Sequence, residues 1–547
     1  MFHAAFRYIP LAVLCSMALA PLASSDEGSV LHLPLLKDSV DVSAAHVAAL
    51  PHNIVYDTDG GAAFNGRDSY IEVPQAPELG TGDFTIAAWI HTEGNVTDFL
   101  GDIASQFDPA TRTGFNLTLQ NFQGVASSQS NFRNLFFGID AGTEPTPWRD
   151  RGRQGNAALV FALSVFDGAL YAGTFEQGAE GRGRIFRLGA GDVWIDCGAP
   201  HGSNAITALA VHDGHLYAAA SHYRSQGSAL PEAENATLGG QIYRYAGEST
   251  WDDMGKPGEF EAVGGMVSFN GSLYVSSLYA PAGLFRMEAP GAWEACGNPG
   301  GRTVALTVHD GAILGSGYDV DWGGVYRYGQ DKQWTSWGVP PETTQTYSFM
   351  THYGKLYVGT WPAGKVFRHA GDIAWADEGQ MGQEKEVMGM AVYNGKLYGG
   401  TLPLAEVYRF DGTGNWHNTG QLDTTPEVKY RRAWTMGVFD GQLFCGTLPS
   451  GKVFSMEAGH AVSWDKALLP GWQHITAVRR GDTLSLVVNG ELVASRSGQG
   501  SALSLTNQAP LTIGFGAHDY FHGRIRDFRV YTRALPEEEI KNLSALS

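Results

Sequence analysis

The sequence predicts an all-β protein in which a ring of small sheets interrupts a two-layer sandwich. Three observations carry this. Through the middle of the 547 residues, a unit with a tight turn, a Leu-Tyr or Leu-Phe pair and a Trp-x3-Gly signature keeps returning. The segments on either side alternate apolar and polar residues, as half-buried strands do. Gly is abundant, at 71, aromatics make up 12%, and helical periodicity is scarce. That balance suits many short strands joined by tight turns.

Taken in chain order, the first element is a targeting segment. Arg7 precedes an apolar run from Leu11 to Leu19, and small residues end at Ala23-Ser24-Ser25 ahead of Asp26-Glu27. This reads as a cleaved export signal, residues 1–25, because the apolar run is too short to anchor in a bilayer. No later stretch could span a membrane, so the expectation is a secreted, periplasmic or extracellular protein. Cleavage removes Cys15 and leaves Cys197, Cys296 and Cys445, an odd set that reads as buried, unpaired thiols. The formal net charge of -19 repels phosphate backbones and argues against nucleic acid as a partner.

Residues 26–145 form the first flank. "SYIEVPQAPELGTGDFTIAAWIHT", Ser69 to Thr92, alternates as a strand pair would, and strand-like runs follow at Gly114 to Leu119 and Asn134 to Ile139. Residues 146–465 carry the repeat. Its turns are Asp167-Gly168, Asp213-Gly214, Asn270-Gly271, Asp310-Gly311, Tyr353-Gly354, Asn394-Gly395 and Asp440-Gly441. Such pairs suit two-residue hairpins, whose central residues both need positive φ. A third strand ends in an aromatic-Arg pair in six units, from Phe186-Arg187 to Tyr408-Arg409, and a fourth begins at a Trp with Gly four places on, from Trp194/Gly198 to Trp416/Gly420. Four strands recurring every 41 to 57 residues, in seven units, predict a seven-bladed β-propeller.

The last unit departs from the pattern, with Leu468 standing where Trp464 should find its Gly, while Trp148/Gly152 precedes the first hairpin. The early segment is therefore expected to supply the outermost strand of the last blade and close the ring. Residues 466–547 form the second flank. "GWQHITAVRRGDTLSLVVNGELVASR" reads as three strands joined by Gly-Asp and Asn-Gly turns, and Leu511 to Ile540 adds two strands and a helix start at Pro536. Neither flank holds enough strands for two sheets, so the two are expected to pair across the insert.

The Gly-Asp-Phe-Thr-Ile-x-x-Trp run at Gly82 to Trp89, the Trp-x-His at Trp472 to His474 and the segment Phe521 to Tyr531 resemble the two halves of a laminin-G-like, concanavalin A-like jelly roll. The repeat resembles Kelch-like and Asp-box propellers in layout, without a true Asp box. The jelly-roll resemblance implies a lectin-like, carbohydrate-binding domain and a possible calcium ion, with Asp102 or Asp519 as ligands. Beyond it the metal signal is weak: His212 and His215 flank a turn with no further ligands at usable spacing.

Candidate binding residues are sought on the propeller face formed by inter-blade connections and second-to-third-strand loops. There stand His222, Tyr223 and Arg224; Asp319, Asp321 and Trp322 beside Tyr318; Trp361; Glu384 and Glu386; and Lys429, Tyr430, Arg431 and Arg432. Guanidinium groups beside aromatic rings suit an acidic sugar. Three functions stay open. The first is a secreted carbohydrate- or extracellular-ligand-binding protein. The second is a polysaccharide lyase or glycoside hydrolase acting on an anionic glycan, with Arg stabilising an enolate and Tyr or His moving protons, or with Asp319 and Glu386 as acid and base. The third is a non-catalytic adhesion or assembly scaffold. The recurring Trp and Arg residues are expected to pack blades.

Overall fold

Each repeat turn adopts the conformation its residues favour. In the computed structural model all seven turn pairs have positive φ at both positions, from Asp167 (44°) and Gly168 (79°) to Asp440 (48°) and Gly441 (65°). The described residues are 28–545, except 59, 123–126, 319–320, 330 and 499. The expected export signal lies outside them.

The hairpins assemble into sheets whose innermost strands pack in succession around a centre: Leu159–Phe166, Ala205–His212, Val263–Phe269, Thr303–His309, Gln345–His352, Glu386–Tyr393 and Arg432–Phe439, the last returning against the first. The expectation of seven separate blades is corrected. Five blades stand as separate four-stranded sheets, and the first two repeat units are hydrogen-bonded into a single eight-stranded sheet. The join is one pair, Phe175 with Ala205, where a second strand and the next inner strand run close enough to bond.

The segment ahead of the first hairpin, Arg149–Arg153, pairs with Lys452–Met456 and completes the last four-stranded sheet. The recurring tryptophans then clasp each unit to its predecessor. Trp194 Nε1 donates to Arg151 O (2.8 Å), Trp251 to Cys197 O (2.8 Å), Trp375 to Trp337 O (3.0 Å), and Trp416 to Glu378 O (2.9 Å). Trp148 Nε1 closes the circuit on Thr419 Oγ1 at 3.3 Å. Trp464 is no member of this set: its strand, His460–Ala467, pairs instead with Asn134–Ala141 of the sandwich, so it has no turn glycine to keep. The recurring arginines answer acids on neighbouring positions, as in Arg244 with Asp252 and Arg368 with Glu378. Cys197, Cys296 and Cys445 are buried and unpaired.

Both chain ends build the sandwich. One sheet runs Val55–Asp57, Gly61–Asn65, His522–Tyr531, Phe84–Thr92, Gly471–Arg480, Thr483–Val488 and Glu491–Ser497, with Leu31–Leu33 added on His522–Tyr531. The other runs Leu50–His52, Tyr70–Val73, Leu511–Ile513, Gly101–Asp108, Thr113–Gln120, Asn134–Ala141 and His460–Ala467. Phe84, Phe137, Ile475 and Ile525, from either side of the insert, meet in one core. Among the described residues no helix is long and apolar enough to cross a membrane.

The seven-stranded sheet lies against the turn face of the propeller. Gly168 N donates to Asp465 O, Asn270 N to Val96 O, Gly354 N to His518 O and Gly441 N to Ser463 Oγ, each within 3.2 Å. Asn394 Nδ2 donates to Ile139 O at 3.0 Å, and Lys396 pairs with Asp140 where both are buried. The turns that the sequence marks most clearly are thus the docking points. The strand Thr113–Gln120 is buried along its whole length, with Phe115, Leu117 and Leu119 in the sandwich core and Asn116 against the propeller turn at Gly395.

Candidate functional site

The opposite face of the ring is open, and a cavity of about 360 Å³ lies at its centre. Its wall is built by an irregularity repeated in the inner strands. The antiparallel register slips between Val160 and Ala162, Ile206 and Ala208, Thr346 and Ser348, and Ala433 and Thr435. The extra residues, Phe161, Thr207, Tyr347 and Trp434, line the cavity. A bulge leaves one residue out of the ladder and re-aims its side chain, here into the mouth.

Aromatic rings lock one another in place. Phe161 meets Tyr223 at 4.7 Å between centroids and Trp434 at 5.0 Å, and Tyr347 meets Tyr318 at 5.6 Å and Trp434 at 5.7 Å. Three guanidinium groups reach the cavity between these rings. Arg224 lies 4.6 Å over Tyr279, Arg302 lies 5.0 Å over Tyr318, and Arg432 lies 5.2 Å over Trp434. Ring faces attract such cations. Arg224 also pairs with Glu261 and Arg302 donates to Leu278 O at 3.2 Å, and guanidinium groups gathered at one mouth suit a carboxylate or sulfate.

Arg432 also donates to Ser228 Oγ, which contacts the Tyr223 hydroxyl. Behind it stands Glu386, at the start of its inner strand and 4% exposed, with Oε1 lacking a hydrogen-bond partner among the described residues. Burial raises its carboxyl to about 7, against the pull of Arg432. Burial likewise pushes the hydroxyls of Tyr318 and Tyr347 above the ordinary phenol range, with Glu386 among the neighbours that add to it.

The sandwich supplies the floor. Its segment 127–131 enters the ring from the turn face and bonds three adjacent inner strands: Gln129 N to Leu209 O at 3.0 Å, Val165 N to Ser130 O at 2.8 Å, and Asn131 Nδ2 to Val438 O at 2.8 Å. Ser127, whose Oγ donates to Thr207 O at 2.8 Å, reaches the cavity.

Of the residues expected from sequence, the fold brings Tyr223, Arg224 and Arg432 to the cavity and Glu386 behind its wall. His222 turns to Glu261 (Nδ1 to Oε2, 2.9 Å), which also pairs with Arg224. Burial pushes the Glu261 carboxyl up, but hydrogen bonds from these two hold it below the usual range. Tyr430 packs on Trp361 at 6.2 Å under the exposed Lys429. Glu384 accepts from Thr401 Oγ1 (2.7 Å) and Leu404 N (3.0 Å) and so secures a loop, and Arg431 follows the same connection by donating its N–H to Pro403 O. Trp322 covers Gly300 and Gly301, where a β-carbon would clash with its ring, and Asp321 is exposed. Asp319, and with it the proposed pairing with Glu386, lies outside the described residues. Sequence reasoning missed Arg302, Tyr279, Tyr347 and Trp434. The last two carried a signal, as bulky aromatics at the third position of an inner strand.

Two expected calcium ligands part company. Asp102 is spent on the fold, accepting from Thr118 Oγ1, His518 N (2.8 Å) and Asp519 N (3.2 Å), whereas among the described residues the Asp519 carboxylate accepts only from Tyr520 N. His212 and His215 do not converge: one bonds Ser268 Oγ and the other Asp213 O.

Residues 416–541 match the concanavalin A-like lectin/glucanases superfamily, a span under a quarter of the chain. Among solved structures, the chain is similar to a streptogramin B lyase at 12% identity, covering 57% of this chain and 98% of that one with a TM-score of 0.46. A catalytically inactive virginiamycin B lyase from Staphylococcus aureus with quinupristin stands at 12% identity, 56% and 98% coverage and a TM-score of 0.44. The WD40 β-propeller domain of Doa1 stands at 11% identity, 57% and 97% coverage and a TM-score of 0.40. No curated protein matches the chain. A lectin/glucanase-like domain together with a propeller is consistent with a ligand-binding role.

Proposed function

We propose that this is an exported binding protein whose propeller mouth takes an anionic extracellular ligand, with acidic polysaccharide as the favoured class. One observation supports the reading above others: Arg224, Arg302 and Arg432 each lie within 5.2 Å of an aromatic ring centre around one cavity of about 360 Å³. Cavities of this size hold a few sugar units, with aromatic faces for pyranose rings and guanidinium forks for carboxylate or sulfate. The sandwich acts as the base of this site, because the propeller covers its seven-stranded sheet.

A glycan-array survey followed by calorimetry on uronate and sulfated oligosaccharides tests it. Arg432→Met and the more exposed Arg224→Ala should each weaken binding at least about tenfold, since charge-assisted hydrogen bonds contribute roughly 1.5–3 kcal/mol. Binding confined to neutral sugars, or untouched by both substitutions, rules the reading out.

A second reading, a polysaccharide lyase at the same mouth, rests on Glu386. Held neutral up to about pH 7 behind the cavity wall, Glu386 leaves the charge of Arg432 uncompensated, so that guanidinium can stabilise a uronate enolate while a protonated tyrosine at the mouth, Tyr318 or Tyr347, gives its proton to the leaving group. New absorbance from an unsaturated uronate would establish it. Binding without that absorbance across the panel leaves the first reading standing.

A further inference from the structure

At the seam between propeller and sandwich, away from the mouth, three chemistry-bearing side chains converge. Asp98 comes from the connection between Phe84–Thr92 and Gly101–Asp108, Asp519 from that between Leu511–Ile513 and His522–Tyr531, and His309 ends the inner strand Thr303–His309. One donor atom from each lies within 4.8 Å of the others. They are 4%, 3% and 7% exposed, respectively.

Their ordinary partners do not use them up. Among the described residues Asp98 accepts only from backbone, Phe99 N at 2.9 Å and Gly311 N at 3.2 Å. Asp519 Oδ1 accepts from Tyr520 N at 2.8 Å, and Oδ2 has no hydrogen bond among the described residues. His309 Nδ1 sits 3.4 Å from Thr351 Oγ1, while its Nε2 is 4.0 Å from Asp310 Oδ2, too far to bond. Arg67, the nearby guanidinium, is engaged with Asp310, and among the described residues no Lys or Arg forms an ion pair with Asp98 or Asp519. Two carboxylates buried side by side without a cation are costly, and the cost is relieved by pairing or by coordinating a metal.

We propose that Asp98, His309 and Asp519 bind a divalent transition-metal ion, zinc or manganese, that fastens the propeller to the sandwich. The mixed set of two carboxylates and an imidazole suits these ions better than calcium, which takes oxygen ligands throughout. Supporting contacts orient the set. Asp102 holds the backbone of His518 and Asp519, and Thr351 Oγ1 lies 3.4 Å from His309 Nδ1, as the partners of metal ligands commonly do. Two ligands belong to the sandwich and one to the insert, so the site exists only when both are joined.

The test uses the full chain, stripped with a chelator and dialysed separately against zinc, manganese and calcium, with bound metal counted by mass spectrometry. One zinc or manganese per chain is expected, with a higher melting temperature on loading. Asp519→Asn and His309→Gln should weaken retention at least about tenfold. Cobalt loading gives a second readout, a visible absorption band that changes in His309→Gln, while tryptophan emission confirms that the variant is folded. Failure of the wild-type chain to retain metal at micromolar concentration, preference for calcium, or retention unchanged in both variants would overturn the proposal.

Discussion

Glu386 gives the mouth a pH response. Its folded value near 7 lies above the ordinary 4.5 because burial disfavours the ion. The sign follows from linkage: its contribution to stability is fully present below about 4.5 and is lost as pH rises through about 7. Below that value Arg432 faces a neutral neighbour and keeps its attraction for an anion; above it, the Glu386 carboxylate competes. Calorimetry at pH 6, 7 and 8 should show anionic-ligand affinity falling several-fold across the series in the wild type, and a flatter profile in Glu386→Gln. Lys396 and Asp140 form a second residue-scale case, an ion pair 3% and 0% exposed that joins propeller to sandwich. Lys396→Met strands the carboxylate and should cost about 3–5 kcal/mol, read as a lower denaturation midpoint.

Among elements, the two-residue turns do more than reverse the chain. Gly214 and Gly441 share positive φ, 71° and 65°, yet an added β-carbon at Gly214 meets nothing within 4 Å whereas one at Gly441 lies 2.3 Å from Ala461 O. Gly214→Ala should therefore cost only the left-handed strain of about 1–2 kcal/mol. Gly441→Ala should cost clearly more, because it also drives the turn from its seat on the sandwich; paired thermal melts compare them. The bulges act on the other face. Period-2 alternation cannot reveal them, since one inserted residue reverses which side chains face inward. Phe161, Tyr347 and Trp434 could be seen as strand residues in the sequence, but not as the lining of one cavity.

For the whole molecule, the two terminal segments cannot make a core alone, and the ring cannot close without Arg149–Arg153. Sandwich and propeller also share the plug at residues 127–131 and the buried Lys396–Asp140 pair. Large, hydrogen-bonded interfaces of this type suppress independent domain motion. Hydrogen exchange should accordingly show the sandwich strand Gly471–Arg480 and the inner strand Glu386–Tyr393 opening together. Protection lost from one while retained in the other would show that the bodies unfold separately.

Local chemistry explains what was legible. Asn-Gly and Asp-Gly turns, Trp-x3-Gly clasps and alternating flanks each specify a conformation within a few residues, so the repeat, the closing strand and the split sandwich could be read from the sequence of this protein. Tertiary structure alone decided that two repeat units share one sheet, that Trp464 leaves the ring, and that Tyr223, Arg224 and Arg432 reach the cavity beside Tyr279, Arg302 and Tyr318, whereas Trp322, Trp361 and Tyr430 do not line it. It also decided which buried charges meet, as Asp98, His309 and Asp519 do from positions hundreds of residues apart. Such meetings depend on how sheets stack and on where a bulge turns a side chain, and neither leaves a local pattern in the chain.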